Sequence, residues 1–144
     1  VRFARSAEEK KNAMPRESGG KMAIKLTDKK LLKLWADICK ERAGWKCEVA
    51  DCDTRGTQLH AHHIFSRRHA SLRYRIDNAI CLCSVHHSLG SFSAHSDPTF
   101  KDRLVACGVR PPELFEELSR ERNRIQKNTL AWKQECYERL KAYL

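Results

Sequence analysis

The chain has 144 residues, 41% of them hydrophobic, and 28 basic against 18 acidic side chains give a net charge of +10. That length suits one domain of ordinary size with a helical extension, and the absence of any long apolar run excludes a transmembrane helix and a membrane role. Residues 1–20 hold no apolar signal-peptide core, so the expected location is cytoplasmic, and the basic excess favours a polyanionic partner because each neutralised phosphate releases counterions.

Residues 1–26 are polar and basic, with Ser18-Gly19-Gly20 as a break, and read as a flexible basic arm. From Thr27 onward Leu31, Leu34, Trp35 and Ile38 recur at helical spacing, with Asp28 in the first turn and Gly44 as a stop. Gln58 to Ile64 suits a short strand and Ala79 to Cys83 a second. The polar loop between them, Phe65 to Asn78, carries Arg67, Arg68, Arg73 and Arg75. A helix is predicted over Ser84 to Ser91. Another is predicted from Asp97-Pro98, as N-cap and first helical residue, to about Gly108. After Pro111-Pro112, Glu113 to Leu144 reads as one long helix or two, with Leu118, Ile125, Trp132, Cys136, Leu140 and Tyr143 on a recurring face that suits core or a dimer surface. The chain thus divides into an arm (1–26), a central domain with its N-terminal helix (27–110) and a C-terminal helical extension (111–144).

Seven cysteines, an odd number, argue against a disulfide framework in a basic chain of this kind. Four of them fall between 47 and 83, and all seven histidines fall between 60 and 95, a co-localisation that points to metal chemistry. Cys47-x4-Cys52 forms one knuckle, and Cys83-x2-His86 stands about thirty residues later as its partner, with Cys81 an alternative to Cys83. Thiolates and imidazole in a closed tetrahedral set suit structural Zn2+. A simple Cys2His2 finger fits badly, because Phe65 stands where the first histidine would be needed. A segment this poor in apolar residues needs such a staple.

A second constellation comprises His62 and His63 at the end of the first strand, Asn78 before the second, and His87 at the start of the following helix. Adjacent strand residues point to opposite faces, so one histidine of the pair can hold a metal while the other faces water or substrate. Phosphodiester hydrolysis requires that division: a cation neutralises charge on the phosphate and leaving oxygen, and a neutral imidazole removes a proton from water. The stretch His62-His63-Ile64, then Asn78, then Leu82-Cys83-x2-His86-His87, resembles the signature of the HNH endonucleases of phage nucleases, homing enzymes and colicin DNases, over roughly Trp45 to Pro98.

The resemblance implies a small α+β fold, a ββα-metal core stapled by zinc and flanked by N- and C-terminal α-helices. It implies metal-dependent cleavage of double-stranded DNA, leaving 5′-phosphate and 3′-hydroxyl ends, in a bacterial or phage-infected cell. His63 would be the general base. His62 and His87 would hold the catalytic ion, commonly Mg2+ or Mn2+, and Asn78 would brace the long loop. His95 would be a third ligand or a phosphate contact. The chain departs from the commoner pattern in having His62 where many members have Asp and His86 in place of Cys. His60, on the strand face of His62, reads as a solvent or supporting residue, and His69 as a polar loop residue. Arg67, Arg68 and Arg73 are candidate DNA contacts, since a guanidinium grips phosphate through paired hydrogen bonds. Activity should fall as His63 protonates, near pH 6.5 if its environment is ordinary. The alternatives are a non-catalytic zinc-stapled DNA-binding module, or an assembly module docking onto phage packaging or recombination proteins.

Overall fold

Thr27 caps the first helix, its side chain accepting the Lys30 N–H at 3.2 Å. In the computed structural model, which describes residues 25–56 and 58–144, this helix, α1, runs Asp28–Arg42 with Asp28 at its positive end and Lys40 and Arg42 at its negative end. Leu31, Trp35, Ile38 and Cys39 form its buried face, and Gly44 ends it in a left-handed turn (φ +67°) that few other residues adopt without strain. The basic arm read over residues 1–26 lies outside the described residues except for Lys25 and Leu26, and Leu26 is buried.

The two expected strands form an antiparallel hairpin, β1 (His60–His63) and β2 (Ala79–Leu82), each shorter than the sequence suggested. His62 lies opposite Ile80 and His63 opposite Ala79. α1 packs against both strands. The outer edge of β2 is covered: the Glu48 N–H donates to the Cys81 carbonyl at 2.9 Å, and the Cys81 N–H donates to Glu48 Oε2 at 2.8 Å. Arg110 locks this contact, pairing with Glu48 Oε1 at 2.8 Å and donating to the Ala79 carbonyl at 3.0 Å. The loop between the strands folds into two 3-10 turns, Ala70–Leu72 and Ile76–Asn78.

The helix predicted over Ser84 to Ser91 is instead a single π-helical turn, Val85–Leu89, closed by the Gly90 N–H donating to the Val85 carbonyl at 2.8 Å. Gly90 is required there. A Cβ atom on it would stand 2.9 Å from Val85 Cγ1 and 3.0 Å from the Val85 carbonyl oxygen. The next helix, α2 (Phe100–Ala106), begins after Pro98 rather than at it, because Asp97 Oδ1 accepts from both the backbone N–H and the hydroxyl of Thr99 and holds a turn ahead of the helix. The final segment resolves into two helices, α3 (Pro112–Glu121) and α4 (Leu130–Lys141), the latter capped by Thr129. The helix ends remove two residues from the expected stripe: Leu118, Trp132, Cys136 and Leu140 are buried, whereas Ile125, in the break, is 88% exposed and Tyr143, past the end of α4, is 48% exposed. These helices share one core with Leu31, Trp35, Ile80 and Leu82, which makes the fold a small α+β arrangement around a two-stranded sheet. No helix among the described residues is long and apolar enough to cross a membrane.

Candidate functional site

The π-turn presents His86 and His87, neighbours in sequence, to two different clusters. Cys47, Cys52, Cys83 and His86 form the first. His86 Nδ1 lies 3.3 Å from Cys83 Sγ and 3.6 Å from Cys47 Sγ, and the sulfurs of Cys52 and Cys83 are 4.0 Å apart. With Zn–S near 2.3 Å and Zn–N near 2.05 Å, a regular tetrahedron has S···N edges of about 3.6 Å and S···S edges of about 3.8 Å. The donors therefore fit a zinc ion that Cys47, Cys52, Cys83 and His86 could hold, leaving no open position. Cys81 does not join them: its sulfur is not among the clustered donors, it is fully buried in β2, and burial pushes its thiol up to about 11. Burial likewise pushes the Cys47 thiol up to about 12, so zinc binding at neutral pH must displace a proton from it.

His62, His87 and His95 form the second cluster. His87 and His95 are brought together by a short backbone pairing, in which the Ala94 N–H donates to the His86 carbonyl at 2.8 Å and the His95 N–H to the His87 carbonyl at 3.2 Å. Their Nε2 atoms are 3.1 Å apart, and His62 meets both rings edge-on. Two imidazole nitrogens each about 2.1 Å from a shared ion lie about 3.0 to 3.4 Å apart. Three imidazoles gathered at one point could thus hold a divalent ion with positions left open. Burial lowers His62 to about 3, with help from the neighbouring His95 and His87, and also lowers His87, which keeps those two rings free to ligate. His95 belongs geometrically with the metal-ligand candidates.

His63 faces the other way, as strand alternation requires. Its ring stacks on Trp35 of α1 at 3.9 Å between centroids and 9° between planes, and its Nε2 lies 2.9 Å from the Arg73 carbonyl oxygen. A carbonyl only accepts, so Nε2 carries the proton and Nδ1 keeps the free lone pair. Burial lowers His63 to about 4, well below 6.5, against the raising effect of the Arg73 carbonyl. The ring is therefore a neutral proton acceptor across the physiological range. It lines a cleft of about 580 Å³ together with His62, His87, His95 and Arg67.

Asn78 is fully buried. Its Oδ1 accepts the Phe65 N–H at 2.8 Å, and its Nδ2 donates to the carbonyls of Phe65 at 3.0 Å and Leu72 at 3.3 Å. It fastens both ends of the long loop beside His63. Among the arginines, Arg67 reaches the cleft and Arg68 is exposed nearby. Arg73 donates from Nε to the Arg67 carbonyl at 2.8 Å, while its own carbonyl holds His63. Arg75 is paired with Asp77 and Glu117 at 2.6 and 2.8 Å. His60 stacks on His87 at 4.6 Å and contacts Ser84 Oγ at 3.3 Å, and His69 stands at the start of a 3-10 turn outside both clusters.

Two contributors were not visible as site residues in the sequence. Trp35 reads there only as helix core, yet it holds the His63 ring and also donates from Nε1 to the Arg75 carbonyl at 2.9 Å. Asp97 reads only as a cap. A comparison with known proteins finds no match to this chain among family models, curated proteins or solved structures.

Proposed function

We propose that the chain is a metal-dependent endonuclease of the HNH type, hydrolysing DNA phosphodiester bonds with His63 as general base. On this reading β1, β2 and the π-turn make up a ββα-metal unit, and the Cys47/Cys52/Cys83/His86 cage is its zinc staple. The observation that carries the proposal is the arrangement around His63: a neutral imidazole, its tautomer set by the Arg73 carbonyl and its plane by Trp35, lining one cleft with a three-histidine cluster. A base for proton abstraction and a cation site for the reacting phosphate are the two parts that hydrolysis needs.

His62, His87 and His95 would hold the ion, which when bound neutralises charge on the phosphate and the leaving 3′ oxygen. An all-imidazole set lacks the oxygen ligands Mg2+ prefers, so Mn2+ or a later divalent transition ion suits it better. His63 Nδ1 takes the proton of the attacking water, and the Arg73 carbonyl steadies the imidazolium that results. Arg67, which lines the same cleft, would bind a phosphate oxygen. Asn78 keeps the loop that carries Arg67 and Arg73 in register with β1.

Plasmid nicking by the zinc-loaded protein, assayed across Mg2+, Mn2+, Ni2+ and added Zn2+, tests the proposal. Wild type should nick with at least one of these ions, and His63→Ala should lose a hundredfold or more, in keeping with the loss of a positioned base. A His63→Ala protein cutting at the wild-type rate, or a wild type that binds DNA without cutting under every ion, refutes the enzyme reading and favours a zinc-stapled binding module.

A further inference from the structure

Among the described residues, the side-chain hydrogen bonds of histidine rings belong to His60, His63, His86, His87 and His95, and His62 makes none. Beside His62 lies a cavity of about 120 Å³, lined also by Ile64, Ala94, Asp97, Phe100 and Lys101. Asp97 is 11% exposed, and its Oδ2 is a buried side-chain oxygen with no hydrogen-bond partner. Its nearest cation, Arg103 Nε, stands 3.6 Å away, beyond hydrogen-bonding reach, on a half-exposed side chain. Lys101 is engaged elsewhere, its ammonium 5.1 Å above the Phe65 ring. The other carboxylate oxygen is fully employed, accepting from the Thr99 N–H at 2.9 Å and the Thr99 hydroxyl at 2.7 Å.

One cavity therefore joins an acceptor without a donor to an imidazole without a hydrogen bond. A buried unsatisfied oxygen is rare and calls for a specific reason. A histidine that gives one nitrogen to a metal has a proton on the other, and that N–H is regularly donated to a carboxylate or a water, which fixes the ring and raises its basicity. The backbone supports the pairing: the Asp97 N–H donates to the Ser93 carbonyl at 2.9 Å and the Ser96 N–H to Ser93 Oγ at 3.2 Å, so one tight turn holds both His95 and Asp97.

We propose that Asp97 is a positioning residue of the three-histidine cluster, its Oδ2 accepting the His62 ring N–H directly or through one water in the cavity when the other His62 nitrogen holds a metal ion. The proposal rests on the reading that His62, His87 and His95 bind an ion, and it supplies the negative charge that an all-imidazole ligand set lacks.

Asp97→Asn separates the two roles of this side chain, because the amide oxygen can keep both Thr99 bonds while an NH2 replaces the unpartnered acceptor. Zinc-loaded protein is titrated with Ni2+, an ion suited to imidazole, by calorimetry, with His62→Ala as background. Wild type should bind one Ni2+ above that background, and Asp97→Asn should bind it about 10- to 100-fold more weakly, with its zinc content and thermal midpoint unchanged. Asp97→Asn with wild-type affinity overturns the role of Asp97 alone. Wild type indistinguishable from His62→Ala overturns the ion-binding reading and the proposal with it. Should Asp97→Asn not fold, nitrogen-edited NMR of the Ni2+-free wild type loaded with diamagnetic Zn2+ in both clusters decides: a slowly exchanging His62 ring N–H supports the proposal, and a freely exchanging one overturns it.

Discussion

Replacing Asn78 by alanine removes three hydrogen bonds from a site with no access to water. The Leu72 carbonyl keeps a second donor, the Arg75 N–H at 3.2 Å, so it is not stranded. The Phe65 N–H and the Phe65 carbonyl lose the partners that Asn78 provides, at 2.8 and 3.0 Å. Each backbone group buried without a partner costs about 1–3 kcal/mol, so the expected loss is about 2–6 kcal/mol. Against the roughly 5–15 kcal/mol by which small domains are stable, that is a large fraction, from a change that touches neither cluster directly. Urea unfolding of the zinc-loaded protein, followed by tryptophan fluorescence, measures it. Asn78→Asp should lose a comparable amount, because it keeps the acceptor for the Phe65 N–H but sets an oxygen against two carbonyls. A loss below about 1 kcal/mol for Asn78→Ala would refute the argument that this amide is what closes the loop.

Cys83→Ala should abolish stoichiometric zinc by elemental analysis and expose the core to proteolysis, while Cys81→Ala should retain the ion; the reverse result would reassign the cage. Acid should destabilise the fold through His62 and His63, whose folded values of about 3 and about 4 lie below an unfolded value near 6.5. Their contribution is complete above pH 6.5 and is lost as pH falls toward those values, because only the unfolded chain takes up the protons there. Unfolding midpoints in urea should therefore drop between pH 7 and pH 5, and a His63→Gln protein should show a shallower drop; equal slopes would contradict the buried neutral assignment.

The two donor clusters were legible in the sequence because candidate metal ligands announce themselves by residue type. Cysteine and histidine in alternation at knuckle spacing have few other uses, and the opposed directions of His62 and His63 follow from strand geometry alone. What could not be read was how backbone deviates to serve those ligands. A helix was expected after Cys83, yet the backbone there closes as a single wider π-turn, Val85–Leu89, that residue periodicity does not foretell. Trp35 fits an apolar helical stripe as well as any core residue, so its stacking on His63 depended on a contact between residues 28 positions apart, which periodicity does not encode. The stripe through Ile125 failed for a related reason: periodicity counts residues as though the helix were unbroken, and the chain leaves the helix between α3 and α4.

His86 and His87 share a peptide bond, and this gives the two clusters a common mechanical joint. Ordering the π-turn fixes both rings at once, so the conformational entropy lost on closing one cluster does not have to be lost again for the other. On the proposed reading the consequence is reciprocal: an ion that tightens the cage around His86 would raise the affinity of the three-histidine cluster, and by linkage an ion between His62, His87 and His95 would tighten the cage by the same factor. The staple and the site would then be two ends of a single cooperative unit.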